Sequence, residues 1–326
     1  MERKITYTQA LKEAIVEEMQ RDNRVFIMGE DIGVWGGLFG VTKGLLQEFG
    51  SERVRDTPIS EAGFVGCAVG AAIAGMHPIV EVMYIDFIPI AMDQIINHAA
   101  KVSFITNGKV KVPLVVRTCA GIGWRNACTH SQSLESLFLN IPGLVVAMPS
   151  TPYSAKGLLK TAIRYDGPVI FIEHKMLYPM VGNVPQDEYL IPFGEAKILC
   201  EGGDISIIAT SLMVHKALNA AKELKGKGVN AEVIDPQTLV PLDEKTIVNS
   251  VKKTGRCIVV HEAPKTGGWA GEVIATIMEK ALVSLKAPLK RVTGLDAPIP
   301  YGKYAEIQVV PQEKSIVQAA LELVKF

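Results

Sequence analysis

Apolar, β-branched runs alternate with stretches of helical periodicity along nearly the whole chain, and few architectures satisfy that alternation. Strands are predicted at residues 25–28, 78–83, 113–117, 144–148 and 169–173, with helical patterns at 62–74, 86–106, 132–139 and 152–164. Ahead of them, Thr6-Tyr7-Thr8-Gln9 has the form of a capping box that opens a helix running to about Arg21. Strands apolar on both faces, joined by helical crossovers, form a parallel sheet. From Lys175 to about Gly203 the pattern stops, and Pro179, Gly182, Pro185, Pro192 and Gly194 punctuate a stretch that reads as a linker. Alternation then resumes, with strands predicted at 205–210, 231–234, 257–262 and 289–292 and helices at 214–225, 243–252, 269–285 and 312–325. The expected fold class is α/β, with two three-layer α/β/α domains over residues 1–190 and 191–326.

With 326 residues, 48% of them hydrophobic, the chain can bury cores of that kind. Its formal net charge of zero lacks the basic footprint of a nucleic-acid binder. No run of about 18 apolar residues is free of charges and breakers, so no membrane span is expected. Met1-Glu2-Arg3-Lys4 leads straight into an amphipathic helix, with no signal peptide. The five cysteines, at 67, 119, 128, 200 and 257, form no CxxC pair, which suits reduced thiols and a cytoplasmic location.

Asp56-Thr57-Pro58-Ile59-Ser60-Glu61-Ala62-Gly63 sets one carboxylate at the mouth of a glycine-rich helix. Pro58 fixes an extended approach, and Ser60 is a good N-cap. From Ala62 to Gly75 nearly every residue is small or apolar, so the helix is expected to be buried and closely approached by other backbones. A carboxylate is also favoured there by the helix dipole alone, and position by itself leaves both readings open.

A second constellation, Thr118-Cys119-Ala120-Gly121-Ile122-Gly123-Trp124 and then Thr129-His130-Ser131-Gln132-Ser133, follows the strand ending near Arg117. Ligands gather beyond the carboxyl ends of parallel strands, and His is the side chain best suited to proton transfer near neutral pH. A loop histidine bonded to backbone is the alternative. Met83 and Phe87 flank Asp86 at the same sheet end, either as core or as walls of an aromatic pocket. His77 and His98 are expected to be structural. Gly36-Gly37-Leu38-Phe39-Gly40 has neither the spacing nor the preceding strand of a dinucleotide fingerprint. Cys128 and His130 have no further ligands to support zinc, and no GxSxG elbow marks a hydrolase.

Gly29-Glu30-Asp31-Ile32-Gly33, Gly36-Gly37, residues 56–61, Asp86-Phe87, Asp93-Gln94-Ile95, His130-Ser131-Gln132-Ser133, Pro142-Gly143-Leu144, residues 155–159 and residues 234–243 together match one family from end to end. The chain resembles the beta subunits of the thiamine-diphosphate-dependent first component of 2-oxo-acid and acetoin dehydrogenase complexes. The resemblance implies a pyrimidine-binding domain followed by a transketolase C-terminal-type domain. It maps the glutamate that hydrogen-bonds the aminopyrimidine ring of thiamine diphosphate to Glu61. A buried carboxyl is driven towards its neutral form, and a proton shared with the ring nitrogen activates the cofactor. Ile59, Met83 and Phe87 match positions near the same ring. His130 matches the active-site histidine that handles protons near the substrate and the incoming lipoyl group.

Potassium, held by backbone carbonyls in relatives, maps to Leu114, Ala162, Ile163, Tyr165 and Gly167, with Tyr165 where many relatives carry Asp. No Gly-Asp-Gly occurs in the chain. The magnesium that holds the cofactor's diphosphate is therefore expected mainly on an alpha subunit, in an α2β2 heterotetramer with the cofactor shared between chains. A lipoyl acyltransferase core is the further implied partner. Trp35-Gly36-Gly37, residues 40–45 and 47–50, Arg117-Thr118 and Ser133-Leu134 favour the acetoin branch, with pyruvate or a branched-chain 2-oxo acid as the alternative substrate. A split transketolase-like half acting on sugar phosphates and a non-catalytic docking subunit are the competing readings.

Overall fold

Thr6 caps the first helix, Tyr7–Arg21, in the predicted way: its hydroxyl accepts from Gln9 N while the Gln9 side chain accepts from Thr6 N at 2.8 Å. The computed structural model describes residues Arg3–Phe326. Two units emerge, one holding the residues up to Ala120 together with Phe138–Phe193, the other holding Gly121–Leu137 together with Gly194–Phe326.

The first unit contains β1 (Arg3–Thr6), β2 (Val25–Gly29), β3 (Val54–Asp56), β4 (His77–Tyr84), β5 (Val115–Ala120), β6 (Val145–Ala147), β7 (Val169–His174) and β8 (Val181–Val184). Six of these run parallel in the order β6-β7-β5-β4-β2-β3. Strands β2, β5, β6 and β7 are buried along their whole length, which explains their unbroken apolar sequences.

The second unit contains β9 (Lys197–Cys200), β10 (Ile205–Ala209), β11 (Ala231–Asp235), β12 (Thr238–Val240), β13 (Cys257–Pro264) and β14 (Lys290–Gly294). Its sheet runs β14-β13-β10-β11-β9, parallel except for β9. The helices Leu212–Lys225 and Glu313–Leu323 close one core over Ile205, Ile207, Val233, Ile258 and Val260.

Four local expectations change. Residues 86–106 are not one regular α-helix but a 3-10 stretch Ile85–Ala91, a π-helical stretch Gln94–Ala99 and a short α-helix Val102–Ile105. Pro89 has no N–H to give and interrupts the ladder. The expected linker contains paired strands, since β8 runs antiparallel to β1 with Thr6 opposite Val181, and β9 borders β11. Of residues 132–139 only Ser136–Leu139 is helical. The helix Glu61–Ile73 buries Phe64, Val65, Ala68, Val69 and Ala72 but exposes Gly63, Cys67 and Gly70 in the single chain, so its expected burial holds for one face. No helix among the described residues is long and apolar enough to cross a membrane.

Candidate active site

Glu61 is the first residue of its helix and only 6% exposed. Ser60 stands at the N-cap but makes no side-chain cap bond, contrary to expectation. Glu30, in the turn after β2, is the second acid of this region. Burial, then the charges of Glu61 and Asp31, push its carboxyl above the ordinary value. Asp56, at the end of β3, serves the backbone. Gly33 N donates to its Oδ1 at 2.7 Å, fixing the turn that carries Glu30. A Cβ at Gly33 would come within 2.6 Å of Asp56 Oδ2, so only glycine allows that closeness.

On the segments beside this helix, three buried side-chain oxygens have no hydrogen-bond partner: Glu30 Oε1, Thr57 Oγ1 and Gln94 Oε1. Gln94 packs on the same helix, its Cγ 3.3 Å from where a Gly66 Cβ would lie. Buried acceptors are rarely left open, and such a set suits a ligand that brings N–H donors.

Met83, near the end of β4, and Phe87, in the 3-10 stretch that follows, are half-buried. The Phe87 ring meets Tyr84 edge-on, with centroids 6.0 Å apart. Ile59 is 84% exposed. Beneath this end of the sheet lies a buried ion cluster that sequence reading missed. Arg117 on β5 donates to both Glu173 oxygens on β7, at 2.7 and 2.9 Å, and to Glu81 on β4 at 2.7 Å. Tyr178 OH also donates to Glu173, at 2.7 Å. The two carboxylates hold the Arg117 guanidinium firmly protonated despite its burial. One charge inside each of three apolar runs was the available signal.

His130 lies in the second unit, in the segment Gly121–Leu137, whereas Ile59, Glu61, Met83 and Phe87 lie in the first. It is half-buried, and Thr129 Oγ1 is 3.0 Å from its Nδ1. From His130 to Glu135 burial alternates, with Ser131, Ser133 and Glu135 inward, which is the period of an extended chain. Glu135 is 1% exposed, and desolvation pushes its carboxyl up to about 7.

The potassium positions gather at β5 and at the end of the helix Pro152–Arg164. Three of those carbonyls already accept hydrogen bonds: Leu114 O from Val169 N at 2.8 Å, Ala162 O from Tyr165 N at 3.3 Å, and Ile163 O facing His77 Nδ1 at 3.3 Å. Tyr165 and Gly167 line a neighbouring cleft. No cluster of three or more His, Cys, Asp or Glu side chains among the described residues could hold a metal.

Residues 3–181 match the transketolase pyrimidine binding domain, and residues 194–316 match the transketolase C-terminal domain. A solved structure described as split gene transketolase, inactive beta4 tetramer, shares the fold with a TM-score of 0.81 over 98% of each chain, at 22% identity. The chain thus has the two-domain architecture of transketolase-type proteins. Acetoin:2,6-dichlorophenolindophenol oxidoreductase subunit beta of Bacillus subtilis (strain 168) is 45% identical over 99% of this chain and 98% of its own length. The 2-oxoisovalerate dehydrogenase subunit beta of the same bacterium is 45% identical over 99% of each chain. Pyruvate dehydrogenase E1 component subunit beta of Rickettsia bellii (strain RML369-C) is 44% identical over 97% of each. Within the transketolase-type class, the chain belongs to the family of acetoin and 2-oxo-acid dehydrogenase beta subunits.

Proposed function

We propose that this chain is the beta subunit of a thiamine-diphosphate-dependent, cytoplasmic dehydrogenase first component that cleaves acetoin and passes the acyl group to lipoyl on an acyltransferase. The observation that carries the reading is Glu61, a carboxyl buried at a helix start beside Glu30, with open acceptor oxygens of Glu30, Thr57 and Gln94 on the segments around that helix. An aminopyrimidine edge, with its N–H donors and ring nitrogens, fits that set. When bound, thiamine diphosphate supplies the carbon nucleophile and electron sink that carbon–carbon bond cleavage needs.

Glu61 holds a proton against the ring nitrogen. Phe87, Met83 and Ile59 bear on the ring's faces, and His130 gives or takes a proton at the substrate. In this reading residues 1–190 bind the pyrimidine half and residues 191–326 form the C-terminal-type domain. Diphosphate and magnesium are held mainly by an alpha subunit in an α2β2 assembly, because this chain has no Gly-Asp-Gly. The carbonyls of Leu114, Ala162, Ile163, Tyr165 and Gly167 are the ligands proposed for a potassium ion, a hard cation suited to oxygen.

Turnover should be measured with the alpha subunit, thiamine diphosphate, magnesium and a dye acceptor, offering acetoin, pyruvate and branched-chain 2-oxo acids separately. Preference for acetoin supports the proposal. Preference for a 2-oxo acid replaces the substrate alone, since the acetoin and 2-oxoisovalerate relatives are each 45% identical to this chain. Turnover only with a sugar-phosphate acceptor would overturn the reading.

A further inference from the structure

His130 sits on a segment whose backbone is strained at several positions. Gly121 and Gly123 have positive φ, and so do Trp124, Arg125 and Ala127, at 62°, 62° and 57°. Side chains bearing a Cβ disfavour that region, so surrounding contacts must offset its cost. Within the second unit, one contact that supports the segment comes from a side chain on β13. Glu262 of β13 is 7% exposed, and its Oε1 accepts the Ile122 N–H at 2.5 Å. Next to that contact, Gly121 N donates to Gln132 O at 3.0 Å, tying the two ends of the segment together. Glu262 also lines a cleft of about 570 Å³ with Cys128, Gln132, Ser133 and Leu134, so it faces both arms of the segment.

We infer that Glu262 is a positioning residue of the His130 segment, anchoring it to the carboxyl end of β13 through Ile122. The inference rests on the role proposed above for His130. A charged acceptor on a backbone N–H is stronger than a neutral one, which suits a carboxylate to holding a strained segment. Lys216, on the helix Leu212–Lys225, donates to Pro311 O at 2.7 Å and Gln312 Oε1 at 3.0 Å, and burial lowers its pKa against the opposing pull of Glu262 and Glu313. The Glu135 carboxyl, further along the segment, is raised chiefly by burial and in smaller part by Glu262, which places the two carboxyls near one another.

The test uses Glu262→Ala and Glu262→Gln in the full chain assembled with its alpha subunit, each alone and combined with His130→Ala. Glu262→Ala should lower kcat by about 10- to 100-fold, with little change in KM, and should add nothing to the loss caused by His130→Ala. Glu262→Gln keeps an acceptor for Ile122 and should recover most of the rate. Hydrogen exchange over residues 121–137 reads the anchoring without reference to activity, and protection should fall in Glu262→Ala and persist in Glu262→Gln. Unchanged protection in Glu262→Ala overturns the inference, as do rate losses that multiply with those of His130→Ala. Lost protection together with a full rate in His130→Ala would instead sink the role given to His130, and with it the catalytic part of the inference.

Discussion

Glu61→Gln preserves the shape of the carboxyl and removes its acidity. If Glu61 manages a proton on the cofactor ring, turnover of the assembled enzyme should fall by about 10²- to 10⁴-fold while the melting temperature stays near that of the unaltered chain. An unchanged rate would remove Glu61 from the chemistry. Glu135 supports a pH prediction. Its carboxyl rises to about 7 in the folded chain from an ordinary value near 4.5. The folded state therefore binds the proton more tightly, and stability declines as pH rises through the interval between those values. Glu135→Gln abolishes that decline. Its unfolding free energy relative to the unaltered chain should gain on the order of 3 kcal/mol between pH 4.5 and pH 8, read by denaturant titration at both pH values. Parallel curves would show that folding leaves the Glu135 carboxyl at its ordinary value.

Strands β4, β5 and β7 are joined by more than backbone pairing. Glu81 and Arg117 are direct neighbours in the β4–β5 register, and Glu173 lies beside them on β7. Arg117→Met leaves two buried carboxylates without a counter-charge and should cost about 3–5 kcal/mol of folding stability. Replacing all three charged residues with apolar ones of similar volume should cost much less, because no uncompensated charge remains. Equal losses in the two variants would argue against a buried pair. At the end of β3, Asp56→Ala removes the acceptor for Gly33 N–H and should cost about 1 kcal/mol. Since that bond fixes the turn carrying Glu30, its loss should also weaken cofactor binding by the assembled enzyme, measured calorimetrically.

At the scale of the whole molecule, the chain carries groups suited to a pyrimidine and lacks the motif that holds a diphosphate through magnesium. The isolated chain should bind thiamine diphosphate weakly, and addition of the alpha subunit should tighten binding and bring activity. Tight binding with full turnover by the isolated chain would contradict that division of labour.

The order of strands and helices could be read directly from the sequence, because apolar periodicity is a local property and most of these elements obey it. The capping box at Thr6, the acid opening the glycine-rich helix and the histidine beyond β5 were legible for the same reason. Where the periodicity misled, a non-local term had won. Residues 132–135 lie extended because Ser131, Ser133 and Glu135 turn inward, and residues 181–184 pair with the strand at the start of the chain, Thr6 facing Val181. The partnership of Glu81, Arg117 and Glu173 depends on strand register, which no single sequence states. Glu262, which lies 140 positions along the chain from Ile122, became visible only when the fold brought its carboxylate to that N–H. Local pattern thus determined the elements and the residue types suited to proton chemistry. The tertiary structure decided which charges meet in buried surroundings, where low dielectric and lost hydration set their strength.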